Sequence, residues 1–468
     1  MAETWATSGT DLHLELDVSG TRIRRGLEDA LRGAIQASRL GPGTRLPSSR
    51  SLAADLGIAR NTVADAYGQL AAEGWLVAEH GSGTRVAERV VAEPPSEPAG
   101  HPAAGGPGYS LLAGSPDLSS FPRSAWLAAA RRALSVAPAE ALGYTDPRGR
   151  PELREALADY LARVRGVRAT ADRIVLCSGF TQALGLLAGV LARQGATTLA
   201  TEAYGHRHHR QVVAARGLAV RPLPVDASGA VIAKLADAGA ALLTPAHQFP
   251  LGVPLAAARR TQAVAWAATT GATIIEDDYD GEFRYDRQAV GAMQALEPEN
   301  VVYAGTASKT LAPGLRLAWL VLPARLVEAV AAAKVLADRQ TSSLDQLTFA
   351  ELIRSGAYDR HVRRCRMAYR RRREQLATQL RARAPGTRMI GVAAGLQALV
   401  ELPAGSTEDA VVGRAAQRGL ALSGLNEFAT AGTRHAPALV VGFAAPPAHA
   451  FTTAVARLCA ALADRGPG

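Results

Sequence analysis

Val301-Val302-Tyr303-Ala304-Gly305-Thr306-Ala307-Ser308-Lys309-Thr310-Leu311-Ala312-Pro313-Gly314-Leu315-Arg316 is the stretch around which the chain is organised. A β-branched run passes into small hydroxyl residues, a lysine, a glycine and an arginine. Lysine is scarce: Lys234, Lys309 and Lys334 are the only three among 52 basic residues. Arginine stays protonated, whereas a lysine amine can shed its proton and add to an aldehyde as a Schiff base. Hydroxyls and an arginine close by are what a phosphate needs. Lys309 is therefore a candidate anchor for pyridoxal 5'-phosphate; the plain alternative is a surface lysine in a loop.

Working outward, short apolar runs alternate with Ala/Leu-rich segments at 173–176, 198–200, 218–221, 240–243, 273–275, 301–304 and 317–322. That alternation predicts an α/β sheet, largely parallel and covered by helices. Ligands of such sheets sit beyond the carboxyl ends of the strands, and the polar clusters fall there. Ser178-Gly179-Phe180-Thr181-Gln182 opens a helix whose N–H groups, with the Thr181 hydroxyl, suit a phosphate. Tyr204 can stack on a flat ring, or simply pack. Glu276-Asp277-Asp278-Tyr279-Asp280 sets carboxylates side by side, which repel unless a cation is near. That cation is either a divalent metal, although the spacing matches no calcium loop, or a protonated pyridine nitrogen.

Amine, phosphate cradle, ring stack and pyridinium partner together make residues 109–468 resemble a fold-type I aminotransferase, similar to aspartate aminotransferase. The carrying strings are Thr244-Pro245-Ala246-His247-Gln248-Phe249-Pro250-Leu251-Gly252, Glu276 to Tyr285, and Gly305 to Arg316. The resemblance implies a large, mostly parallel α/β domain followed by a smaller C-terminal α+β subdomain. It makes Lys309 the Schiff-base lysine, Asp277 the pyridine-nitrogen partner and Tyr279 the partner of the ring hydroxyl. Tyr204 takes the stacking position, and Phe180, Thr181, Thr306, Ser308 and Arg316 the phosphate. His247 or Gln248 stands where such enzymes carry an asparagine near the ring hydroxyl. The chain departs from the pattern in three places. Thr201-Glu202-Ala203-Tyr204 replaces the usual Pro-Gly-Tyr. The strand Leu439–Phe443 lacks, in register, the arginine that clamps a substrate carboxylate, with Arg434 lying a few residues early. His206-Arg207-His208-His209-Arg210 is either a solvated loop or the lining of an effector site, with Arg207 its candidate contact.

Upstream, Ile23, Leu27, Leu31 and Ile35 recur at helical spacing, and Gly41-Pro42-Gly43 stops that helix. Ser48 or Ser49 can cap a second helix over 51–56, Gly57 turns the chain, and a third helix runs over 60–73. Two short strands flank His80-Gly81-Ser82-Gly83. This is the order of a winged helix-turn-helix, whose third helix offers Arg60, Asn61 and Thr62 to base edges and phosphates. Ser49, Arg50 and the wing tip Gly81, Ser82 and Gly83 would hold the backbone. The string from Leu46-Pro47-Ser48-Ser49-Arg50 to Gly81-Ser82-Gly83-Thr84 closely resembles the GntR-type DNA-binding domain over residues 12–88. Residues 89–108, with Pro94, Pro95, Pro98, Pro102 and Pro107, can form no core and read as a linker.

The 468 residues, nearly half of them apolar, suit two or three globular domains. Cys177, Cys365 and Cys459 are too few and too scattered for a disulfide framework or a zinc site. With no secretory leader pattern and no apolar run of spanning length, a cytoplasmic protein is expected. Residues 1–90 hold ten arginines against eleven acids, so the net charge of +10 lies elsewhere. Much of it sits in Arg360, Arg363, Arg364, Arg366 and Arg370 to Arg373, which read first as a solvated helix face. Head and body together resemble the MocR subfamily of bacterial transcription regulators. The resemblance implies a head-to-tail homodimer on operator DNA, sensing the cofactor or an amine through an aldimine at Lys309. Two rivals stand beside it: a working aminotransferase with a DNA-binding head, and a DNA-binding regulator whose second domain is only a scaffold.

Overall fold

The computed structural model describes residues 23–79, 83–88, 108–285 and 290–464. The wing-tip residues Gly81 and Ser82, the start of the 12–88 segment and most of the 89–108 linker lie outside these. The contacts divide the chain into two compact units, one within residues 1–103 and one within 104–468.

In the first unit, helix α1 (Ile23–Gln36) turns Leu27, Leu31 and Ala34 inward. Helix α2 (Ser49–Leu56) is capped by Ser48, whose Oγ accepts from the Ser51 N–H at 3.1 Å. It ends at Gly57, where φ of 66° leaves the helix at no steric cost to a residue lacking Cβ. Helix α3 (Arg60–Ala72) buries Val63, Ala66, Tyr67 and Leu70 against α1 and α2. The Tyr67 hydroxyl donates to Pro47 O at 3.1 Å and ties α3 to the turn before α2. Strands β1 (Leu76–Glu79) and β2 (Gly83–Val86) pair antiparallel. Three helices and a wing thus share one small core.

The second unit is built on a seven-stranded sheet. Its order is Ile174–Cys177, Ala318–Val321, Val301–Thr306, Thr273–Asp277, Ala240–Leu243, Thr198–Glu202, Ala219–Leu223. Every neighbouring pair is parallel except those made by Ala318–Val321. Val301–Thr306 lies inside the sheet and is buried throughout. Its side chains alternate. Val302 and Ala304 join the core under the helices Phe180–Arg193 and Ala324–Ala337, while Val301 and Tyr303 face the opposite side. A parallel sheet covered on both faces needs such continuous apolar strands. The strands foreseen from sequence fall within a residue or two of those observed.

A smaller antiparallel sheet follows, in the order Arg388–Ile390, Gln397–Glu401, Ala438–Gly442, Ser423–Gly424. It shares a core with the helices Ala357–Arg383 and Ala448–Ala463. No helix among the described residues is long and apolar enough to cross a membrane.

Candidate functional site

Because all strands but Ala318–Val321 run the same way, six of them end on one edge of the large sheet, and a cleft of about 210 Å³ opens there. Lys309 enters it from the turn after Val301–Thr306, its Nζ donating to the carbonyl of Gly114. Burial pushes the Lys309 amine down, against the pull of Asp277 and Asp280. Asp277 ends the neighbouring strand, and burial pushes its carboxyl up to about 8 despite the Lys309 charge. Both groups are driven toward their neutral forms, which in the lysine favours a nucleophilic amine.

The three successive acids have three different fates. Strand alternation turns Glu276 away, where its carboxylate accepts from the Met293 and Gln294 N–H groups at 2.7 and 2.9 Å. Asp277 lines the cleft. Asp278 accepts from Arg165 Nε at 2.6 Å and from the Tyr303 hydroxyl at 2.8 Å. Asp278 is thereby paired with a cation from the chain itself, and no metal-holding cluster occurs among the described residues.

The opposite end of the cleft suits an anion. Gly179 precedes the helix Phe180–Arg193 at φ 88°. A Cβ there would lie 2.5 Å from Arg316 Nη2, so only glycine lets the guanidinium lie across the helix start. Arg316 donates from the same nitrogen to Ser178 O at 2.6 Å. Thr306 and Ser308 add paired hydroxyls 2.9 Å apart, and Phe180 and Thr181 complete that wall. Below it, fully buried Lys334 holds both Asp338 oxygens at 2.9 and 3.0 Å. Asp338 in turn accepts from Ser178 Oγ and Gln182 Nε2, fixing the cradle from beneath. Sequence reasoning named Lys334 only as one of the rare lysines.

Tyr204 and Tyr279 also line the cleft. His247 and Gln248 do not. His247 Nδ1 lies 3.1 Å from the Tyr279 hydroxyl and 2.8 Å from Asp280 Oδ2, behind the tyrosine. Gln248 donates to Glu202 and to Tyr204 O, also from behind. The residue that bonds Tyr279 and also faces the cleft is Gln397, at 2.9 Å, from the smaller sheet. No local signal marks a glutamine 118 residues away. Glu202, within the departing string, is buried and is pushed up to about 7 by that burial, despite donors from Thr244 and Gln248.

The segment 206–210, read either as a solvated loop or as the lining of an effector site, enters a helix, Arg207–Ala214, with His206 at its cap. Helical spacing turns His206, His209 and Arg210 into the cleft and leaves Arg207 exposed. Arg434 is exposed and lies outside the lining. Neither arginine therefore faces the position at which an effector contact was expected. Burial pushes His206 down to about 4 and His209 to about 3, so both are neutral imidazoles at pH 7.

These residues fit pyridoxal phosphate: an amine facing a carboxylate, two tyrosines, and an anion cradle that a single Cβ would fill. The Thr201 hydroxyl, buried in the same cleft without a hydrogen-bond partner, is a further polar group awaiting one. In the first unit, Arg50, Arg60 and Asn61 are exposed, Ser49 and Thr62 half-buried. Gly83 begins β2 with the Arg45 guanidinium against it, a basic residue near the wing that the sequence reading passed over.

Fold and cleft together define an aminotransferase-like body on a winged-helix head. Residues 111–458 match the family described as "Aminotransferase class I and II", and residues 23–86 match "Bacterial regulatory proteins, gntR family". The pyridoxine biosynthesis transcriptional regulator PdxR of Corynebacterium glutamicum is 32% identical over 427 residues, 90% of this chain and 92% of its own length. The probable rhizopine catabolism regulatory protein MocR of Rhizobium meliloti is 32% identical over 418 residues, 84% of each chain. Among solved structures, an archaeal alanine:glyoxylate aminotransferase superposes with a TM-score of 0.69 at 24% identity. It covers 76% of this chain and 91% of its own, and supports the fold. The chain belongs to the MocR-type branch of the GntR transcriptional regulators, DNA-binding proteins that carry an aminotransferase-like domain.

Proposed function

We propose that this regulator binds pyridoxal phosphate at Lys309 and that its body senses the cofactor, or an amine reaching it, to alter DNA binding by the head. The observation that carries this is the convergence of Lys309, Asp277, Tyr279 and the Gly179–Arg316 cradle in one cleft. When bound, the cofactor supplies an aldehyde that condenses with primary amines and a ring that withdraws electrons. Lys309 would present its amine, Asp277 would accept from the ring nitrogen, and Tyr279, held by Gln397 and His247, would bond the ring hydroxyl. Arg316, Thr306, Ser308, Phe180 and Thr181 would take the phosphate.

Sensing rather than turnover is supported by the cleft's lining, where Arg210 and Arg316 are the only arginines among the described residues. Arg210 is tied to Gly205 O and Phe428 O, and Arg434 lies outside the lining, so among the described lining residues no guanidinium stands free as a substrate clamp. A homodimer, with the subunits head to tail, is part of the same reading. Leu127, Val136, Leu142, Tyr144 and Leu336 leave large apolar surface exposed, which a second copy would cover. A ligand shifts DNA affinity only through unequal affinity for two arrangements of the protein.

The test is a DNA gel-shift titration of the full-length protein with and without pyridoxal phosphate, alongside visible absorption. The expected result is a cofactor-dependent visible band lost in Lys309→Ala, and a DNA affinity that changes with cofactor only in the unsubstituted protein. A band surviving Lys309→Ala, or DNA binding indifferent to cofactor, contradicts the reading. Sustained transamination of an amino donor would favour an enzyme.

A further inference from the structure

We infer that the exposed basic face of the helix Ala357–Arg383 is a second DNA-contacting surface, gripping phosphates of the duplex outside the segment read by the head. The inference rests on the DNA-binding reading above. Its starting point is the charge. Residues 1–90 balance ten arginines against eleven acids, while residues 91–468 hold 42 basic residues against 31 acids. Counterion release grows with the number of phosphates that arginines and lysines neutralise, and the chain's whole excess of base lies outside the head.

Between Asp359 and Glu374 the helix carries eight arginines and no acid. Its periodicity sorts them. Arg372 turns inward to Asp117 at 2.7 Å and to the carbonyls of Ala444 and Pro446 at 2.8 Å each. Arg366 donates to Glu282 O. Arg360, Arg363, Arg364, Arg370 and Arg371 are exposed, at intervals that keep them on one face. Of these five, Arg370 pairs with a carboxylate, Glu374 at 2.9 Å, while Arg360 and Arg364 meet only Ser355 O and His361 Nδ1. Among the described residues, no carboxylate lies within ion-pair distance of Arg363 or Arg371.

The face is also concave at one end. Arg360, Arg363 and Arg366 line a cleft together with Arg163 from the helix Pro151–Arg165. The single acid in that lining, Asp359, is occupied by Arg163 at 2.9 Å. Unpaired guanidinium groups held in a concavity suit phosphate oxygens, which accept their forked donors. At ~1.5 Å per residue, Arg360 to Arg371 spans roughly 16 Å, enough to face several phosphates of a strand carrying one per ~3.4 Å of axis. Met367 is the one large apolar side chain exposed there among the described residues, so the face lacks the apolar core of a protein-docking patch.

The test is equilibrium binding of the full-length protein to a random-sequence 60-bp DNA duplex at KCl concentrations from 50 to 200 mM. Arg360→Gln/Arg363→Gln/Arg371→Gln is compared with the triple Arg→Lys variant and with Arg60→Ala in the head. Each lost phosphate contact lowers the salt slope by ~0.9. The Gln triple should therefore lower it by about 2–3, with at least a tenfold weaker Kd at 150 mM, while the Lys triple keeps the slope. Cofactor absorption in every variant checks folding. An unchanged Kd and slope in the Gln triple, with Arg60→Ala still weakening binding, overturns the inference and leaves the head reading intact. No duplex binding by the unsubstituted protein at 50 mM overturns both.

Discussion

Replacing Gly179 with alanine tests the anion cradle at its tightest point. At φ 88° and ψ 164° the backbone occupies a region nearly confined to glycine, so alanine costs about 1–3 kcal/mol of stability. Its Cβ would also fall 2.5–2.7 Å from three atoms of the Arg316 guanidinium. The guanidinium must move, giving up its 2.6 Å bond to Ser178 O and its place over the helix start. A hydrogen bond from a charged donor contributes about 1.5–3 kcal/mol. Losing one to the phosphate therefore weakens cofactor binding roughly 10- to 150-fold. The assay is titration of cofactor-free protein with pyridoxal phosphate, followed by visible absorption, with urea unfolding run beside it. If Gly179 exists to admit the guanidinium, Gly179→Ala/Arg316→Ala should bind no more weakly than Arg316→Ala alone. Wild-type affinity in Gly179→Ala, or losses that simply add in the double variant, would refute the reasoning.

Three further outcomes are expected. Burial raises Asp277 to about 8 and Glu202 to about 7. The native state therefore keeps protons that the unfolded chain has released above ~4, and cofactor-free stability falls as pH rises toward 8. Asp277→Asn should flatten part of that decline in urea unfolding between pH 6 and 9; an unaltered slope would contradict the burial effect. Lys334→Met strands the Asp338 carboxylate beneath the cradle, and about 2–3 kcal/mol of stability should go, less than for a wholly buried pair because Asp338 is partly exposed. A loss under 0.5 kcal/mol would show that the pair does not anchor the cradle. Ser48→Ala removes the cap of α2 and should cost the head about 1 kcal/mol, measurable by hydrogen exchange of the α2 amides, with cofactor affinity unmoved.

Much of this protein was legible along the chain because its signals are local. Alternation of apolar strands and helices foretold the sheet, and four strand ends carried the polar clusters of the cleft. The turn at Gly57, a cap at Ser48 or Ser49 and the third helix over 60–73 were equally local. Less legible was every choice between neighbours. Arg207 looked like the effector contact, yet the structure leaves it exposed while His206, His209 and Arg210 line the cleft. His247 and Gln248 both looked able to reach the ring hydroxyl, yet both stand behind the tyrosines. Gln397 carried no mark at all, since only the fold of the smaller sheet brings it to Tyr279.

By itself, then, the sequence foretold the winged-helix order, the sheet, and Lys309 at the end of one of its strands, because periodicity and turn chemistry act over a few residues. The tertiary structure decided which of Glu276, Asp277 and Asp278 meets the cleft, and which arginines stand free on the long helix. Those choices depend on strand alternation and on partners such as Arg165 and Asp117, supplied from distant parts of the chain. Burial and pairing are properties of the packed molecule, so they assign chemical roles that adjacent, similar residues share in the linear text.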